Sequence, residues 1–173
     1  GVHKTRAEKR RQCPRWLVMC EGRTGDMPRQ SFAMDGRGSA ESGPMKFEHL
    51  ALNVPDVRAM SRWYVEHLGL SVVRSLDAEP FTHFLADDTG RVFIEFYSNP
   101  KAPYPDYAAA HPLVLHVAFF APDAGAAQAK LVEAGATAFS DDTMPDGSRL
   151  IFVRDPWGVP VQLCQRSKPF PGF

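Results

Sequence analysis

From residue 46 onward, apolar and polar side chains alternate in short runs, and the order of those runs occurs twice. Over 46–54, Leu50, Leu52 and Val54 fall on one side and Phe47, His49, Ala51 and Asn53 on the other, the period of a strand. Pro55 and Asp56 end that run. Asp56 suits an N-cap, and the spacing predicts a helix as far as Leu68, closed by Gly69. Strands are predicted over 70–76, 81–86 and 91–97, with a turn at Asp87, Asp88, Thr89 and Gly90. The segment 99–112 holds four prolines and reads as an ordered linker. The series then repeats: strand 113–121, helix 123–134 stopped by Gly135, and strands near 137–140, 149–154 and 159–165.

The repeat extends to individual residues. His49-Leu-Ala-Leu-Asn-Val-Pro-Asp56 returns as His116-Val-Ala-Phe-Phe-Ala-Pro-Asp123, an offset of 67 (116 − 49). The same offset carries Glu95 to Gln162 and Asp88 to Asp155, whereas Gly90 and Gly158 fall one residue out of phase. A small insertion therefore separates the copies. The predicted fold is α+β: two βαβββ modules whose helices cover the outer faces of a cup-shaped mixed sheet. The expected boundaries are a flexible basic tail over 1–44, a first module over 45–98, the linker over 99–112, a second module over 113–167 and a C-terminal tail over 168–173.

Strand parity selects the candidate chemistry. If Leu50, Leu52 and Val54 meet the helix, His49 points into the cup. By the same rule Glu95 points inward between Phe93 and Tyr97, as do His116 with Phe120, and Gln162 with its neighbours Pro160 and Cys164. A lone histidine on a strand is usually a satisfied core or edge residue. A carboxylate between two aromatic rings is different, because burying it without a cation is costly. His49, Glu95, His116 and Gln162 together form a donor set for one borderline divalent ion, and the residues do not distinguish Zn, Ni, Fe, Mn or Co. His67, His83 and His111 have no partners in phase, although His83 could line the cavity.

Composition adds exclusions. The chain has 173 residues, 44% hydrophobic and 23% charged, with zero formal net charge, so its overall field points to neither nucleic acid nor anionic membrane. No apolar run is long enough to span a bilayer. Residues 1–44 carry nine basic and five acidic side chains (net +4) and lack apolar periodicity. They read as an unpacked extension ahead of a domain opening at Met45. Lys9, Arg10 and Arg11 make a short basic run with no aromatic partners for bases. Three cysteines do not form an even disulfide framework, and residues 15–20 are too short for a signal sequence. A cytoplasmic address is the expectation.

The His49–Asp56 motif, Trp63-Tyr64 with Leu68-Gly69-Leu70, and Asp155-Pro-Trp-Gly-Val-Pro-Val-Gln162-Leu163 together resemble the vicinal oxygen chelate superfamily. That group comprises glyoxalase I, bleomycin-resistance proteins, fosfomycin-modifying transferases, methylmalonyl-CoA epimerase and extradiol dioxygenases. The resemblance covers about residues 45–167 and bears on fold more than on reaction. It implies paired βαβββ modules and a divalent metal with open coordination positions, held at His49, Glu95, His116 and Gln162. It also implies a glyoxalase-like lyase or isomerase that chelates neighbouring oxygens of a small molecule and moves a proton through an enediolate-type intermediate.

In glyoxalase I the last of these positions is normally a glutamate able to act as base. Here it is Gln162, which leaves Glu95 as the candidate catalytic base, with metal-bound water as the alternative. Asn99 matches the glutathione-associated spacing E-x-x-x-N, but Asn53 stands where that family places an arginine. A fosfomycin-type transferase has no use for a glutamate at position 95. An Fe(II) extradiol site could be assembled formally from His49, His116 and Glu95. A metal-free binder that stacks a planar drug on Phe47, Phe93, Tyr97, Phe120 and Trp157 is the other alternative. The family also pairs modules between chains, and a homodimer is expected.

Overall fold

The computed structural model describes residues 43–172, of which Pro44 onward belong to one compact unit. The expected basic tail lies outside the described residues, apart from its last two positions. The first module runs β1 (Leu50–Asn53), α1 (Val57–Leu68), β2 (Ser71–Leu76), β3 (Thr82–Ala86) and β4 (Val92–Tyr97). The second runs β5 (Val117–Phe120), α2 (Ala124–Glu133), β6 (Thr137–Thr143), β7 (Arg149–Arg154) and β8 (Pro160–Gln165). Each module is a four-stranded mixed sheet, in the orders β1-β4-β3-β2 and β5-β8-β7-β6, with only the first pair of each parallel. The α+β reading and the element order are borne out.

Where the ends differ, hydrogen-bond partners decide. β1 and β5 begin at Leu50 and Val117, later than the alternation suggests, because each is an edge strand paired only with β4 or β8. β6 runs on to Thr143 because β7 supplies partners as far as Arg149. Both helices start as expected. Asp56 accepts from the Ala59 amide at 2.9 Å, and Asp123 from the Ala126 amide at 3.0 Å. Gly69 closes α1 in the left-handed region at φ 74°.

The helix-covered faces of both modules merge into one hydrophobic core. Met60 and Tyr64 of α1, Ile94 and Phe96 of β4, Ile151 and Val153 of β7, and Val161 of β8 are all fully buried. Side chains of this size contribute about 1.5–3 kcal/mol each when fully buried. Polar locks tie the modules across that core. Trp63 Nε1 donates to the Ala134 carbonyl at 2.8 Å, and Arg154 donates to the carbonyls of Tyr107, Gly158 and Ala110. Gly158, at φ 86°, lies so close to the linker that an added Cβ would meet the Ala108 backbone nitrogen at 2.8 Å.

Asp155 is the deepest of these locks. Its carboxylate accepts from the Tyr64 hydroxyl at 2.9 Å and from the Trp157 and Val159 amides at 2.9 and 2.8 Å. Burial nevertheless pushes its pKa up from 3.8 to about 6. The folded chain therefore holds this proton more tightly than the unfolded chain does. The resulting stabilisation is complete below pH 3.8 and is lost as pH rises through about 6. Denaturant unfolding of wild type and Asp155→Asn at pH 4 and pH 7 should show it. Wild type is expected to lose up to about 3 kcal/mol relative to the variant across that interval. Parallel pH curves would contradict this.

Candidate functional site

The sheet registers place the candidate residues in two matching rows. In the first sheet, Ala51, Glu95, Phe84 and Arg74 lie side by side across β1, β4, β3 and β2. In the second, Ala118, Gln162, Phe152 and Ser140 lie side by side across β5, β8, β7 and β6. The duplication thus persists in three dimensions, down to a register shift in β2 after Val72 and another in β6 after Ala138. The registers also locate the insertion. Leu85 pairs with Ile94 and Ala86 with Val92, so Phe93 is an extra residue in β4. The offset is 68 for β3 and the turn that follows it (152 − 84 and 158 − 90) and returns to 67 after Phe93 (162 − 95). The partner of Asp155 is accordingly Asp87, not Asp88. Asp87 caps Thr89 as Asp155 caps Trp157.

Each row carries a histidine against a phenylalanine edge. His49 meets Phe84 at 5.5 Å and 74°, and His116 meets Phe152 at 5.1 Å and 89°. His49 Nε2 is 3.0 Å from Glu95 Oε2, and both side chains are mostly shielded, at 26% and 17% exposure. Its Nδ1 sits against the Glu48 carboxylate, though without the geometry of a hydrogen bond. His116 Nδ1 lies 2.8 Å from the Pro112 carbonyl. A carbonyl only accepts, so Nδ1 carries the proton, and in a neutral ring Nε2 keeps its lone pair. A carbonyl holding Nδ1–H in this way fixes the ring's tautomer and leaves Nε2 turned outward to bind an ion. Gln162 is buried, and its Oε1 accepts from the Cys164 thiol at 3.3 Å. Burial pushes that thiol's pKa up.

Among the described residues, no group of three or more His, Cys, Asp or Glu side chains is placed to hold an ion. His49 and Glu95 stand together at the first sheet, and His116 and Gln162 belong to the second. Strand parity puts Glu95 and Gln162 on the sheet faces opposite the buried Ile94, Phe96, Val161 and Leu163.

The other candidate residues take several different places. Phe93, displaced by the bulge, packs edge-on to Phe119 at 5.9 Å and joins the core, as does Trp157. Asn53 is buried, and its amide ties down the linker through the Asn99 amide and the carbonyls of Asn99 and Ala102. Asn99 Oδ1 accepts from the Lys101 amide. Tyr97 is half-buried, Phe47 is 60% exposed, and Phe120 lines a small cavity. His83 faces α1, not the rows, with Nδ1 2.9 Å from Ser61 Oγ, and burial pushes its pKa down. Phe84 and Phe152 were missed as site neighbours. Register made them so, and only the strand pairing reveals it.

Residues 46–163 match the Glyoxalase/Bleomycin resistance protein/Dioxygenase superfamily. Glyoxalase I from Zea mays shares 21% identity at a TM-score of 0.57, over 71% of this chain and 45% of that one. This chain therefore spans less than half the length of the maize protein. A glyoxalase family protein from Enterococcus faecalis shares 26% identity at a TM-score of 0.53, over 69% of this chain and 96% of that one. A possible glyoxalase from Bacillus cereus shares 18% identity at a TM-score of 0.53, over 70% and 99%. No curated protein matches. Among the described residues, no helix is long and apolar enough to cross a membrane.

Proposed function

The chain belongs to the Glyoxalase/Bleomycin resistance protein/Dioxygenase superfamily, and on that footing we propose that it is a metal-dependent lyase or isomerase of small oxygen-bearing molecules, working as a homodimer. The observation that carries the reading is the congruence of the two rows. A histidine set against a phenylalanine edge stands beside a carboxylate in one and an amide in the other.

A second copy supplies the missing half. The His49–Glu95 pair of one protomer faces the His116–Gln162 pair of its partner, giving two sites related by the dimer axis. The residue two before each histidine supports such a contact. Phe47 is 60% exposed and Val114 79%, more apolar surface than a solvated strand end needs. The donor set of two imidazole nitrogens, one carboxylate and one amide oxygen suits a borderline divalent ion. When bound, that ion acts as a Lewis acid toward adjacent oxygens of a ligand.

Glu95 removes a proton from the carbon beside the substrate carbonyl. Gln162 cannot take a proton at working pH, so acid–base duty falls on one side of the site. Phe84 and Phe152 wall the two imidazoles and limit water around them. A cytoplasmic setting goes with this reading.

Elemental analysis tests it. Protein purified without chelator is expected to carry about one ion per chain, and His116→Ala about none. Wild type without stoichiometric metal would favour the drug-binding alternative.

A further inference from the structure

One basic residue beside the second half-site has no role so far. Along β8, Gln162 and Cys164 share a face, and Arg166 follows in the same alternation just beyond the strand. A cavity of about 90 Å³ opens there, lined by Ala118, Phe119, Phe120, Cys164, Arg166 and Phe170. The Arg166 guanidinium lies over the Phe170 ring at 4.9 Å and reaches Cys164 Sγ at 4.0 Å. Among the described residues no carboxylate pairs with it. Arg58 and Arg149, by contrast, have Asp77 and Asp141, and Arg91 and Arg154 are engaged by backbone carbonyls. A half-buried guanidinium with unfilled donors is ready to bind a carboxylate or phosphate in bidentate fashion.

The duplication sharpens the point. Residue 166 is the counterpart of Asn99 (99 + 67), whose neighbourhood is taken up in anchoring the linker to Asn53. Only the second module keeps this position available to a ligand.

We propose that Arg166 selects substrates bearing an anionic group at the end remote from the oxygens gathered beside His116 and Gln162. This deepens the metal-dependent reading and rests on it. Four strand residues separate the α-carbons of Gln162 and Arg166 by roughly 13 Å, and two side chains leaning together shorten the gap to the length of a small metabolite. Phe120 and Phe170 supply apolar walls for the connecting carbons.

Calorimetry on the zinc-loaded full chain tests this with acetohydroxamate, a bidentate oxygen chelator, against the monohydroxamates of succinic and suberic acid and phosphonoacetohydroxamate. At least one anionic chelator is expected to bind wild type about tenfold more tightly than acetohydroxamate. Which one gains distinguishes a carboxylate from a phosphate-like group, and gives the arm length. Arg166→Gln should abolish that gain and leave acetohydroxamate binding unchanged, and Arg166→Lys should retain part of it. Equal binding of all four by wild type, or a preference that survives in Arg166→Gln, overturns the inference while leaving the metal reading intact. Failure to take up zinc, or to bind acetohydroxamate at all, overturns both.

Discussion

His49→Ala and His116→Ala, each expected to be empty of metal alone, should regain it when mixed. If equal amounts are unfolded together and refolded, half the dimers pair one variant with the other. In such a dimer, one site combines both alanines. The other combines the intact His49–Glu95 pair of one chain with the intact His116–Gln162 pair of its partner. Recovery of about a quarter of wild-type sites is therefore expected, from random pairing of two chains about a twofold axis. Metal content per chain gives the readout without any knowledge of the substrate. If all four donors came from one chain, every chain in the mixture would lack one, and nothing would return. The placement of the donors motivates the experiment: His49 and Glu95 lie 3.0 Å apart, and among the described residues no group of three or more His, Cys, Asp or Glu side chains is placed to hold an ion.

Glu95→Gln is expected to retain metal when the ion is supplied in excess, and to lose turnover by about 10²–10⁴-fold, the usual worth of a positioned general base. The loss should be this severe because no second base stands in the row. Its counterpart is Gln162, and the side chain hydrogen-bonded to that amide is the Cys164 thiol, whose pKa burial pushes up. With one base, the wild type should also act on only one hand of a chiral α-hydroxy carbonyl substrate. Once a screen of such compounds has identified a substrate, rates for each enantiomer with wild type and variant settle the matter. Full turnover in Glu95→Gln with metal bound would remove Glu95 from the base role. Equal rates on both enantiomers would mean that a second group moves protons.

The sequence alone determined the modules and which polar residues occupy matching positions in the two sheets. Period-two alternation put Glu95 opposite Ile94 and Phe96, and the recurrence of His-x-Ala-x-x-x-Pro-Asp put His116 and Gln162 in the same relation as His49 and Glu95. The N-caps Asp56 and Asp123 and the stop at Gly69 were equally legible. These are local properties, fixed by neighbours along the chain and by the pleat of a strand. Tertiary structure decided what local spacing cannot encode. A single extra residue, Phe93, turned a predicted pocket wall into core, because a bulge reverses the side a residue faces without changing its composition. Asn53 went to the linker because a buried amide takes the nearest free backbone groups, and those became neighbours only after folding. Above all, the packing of α1 and its sheet against the second module through Trp63, Tyr64 and Asp155 joined the helix-covered faces into one core. Burial of apolar surface drives that choice, and the spacing of residues within each module does not encode it.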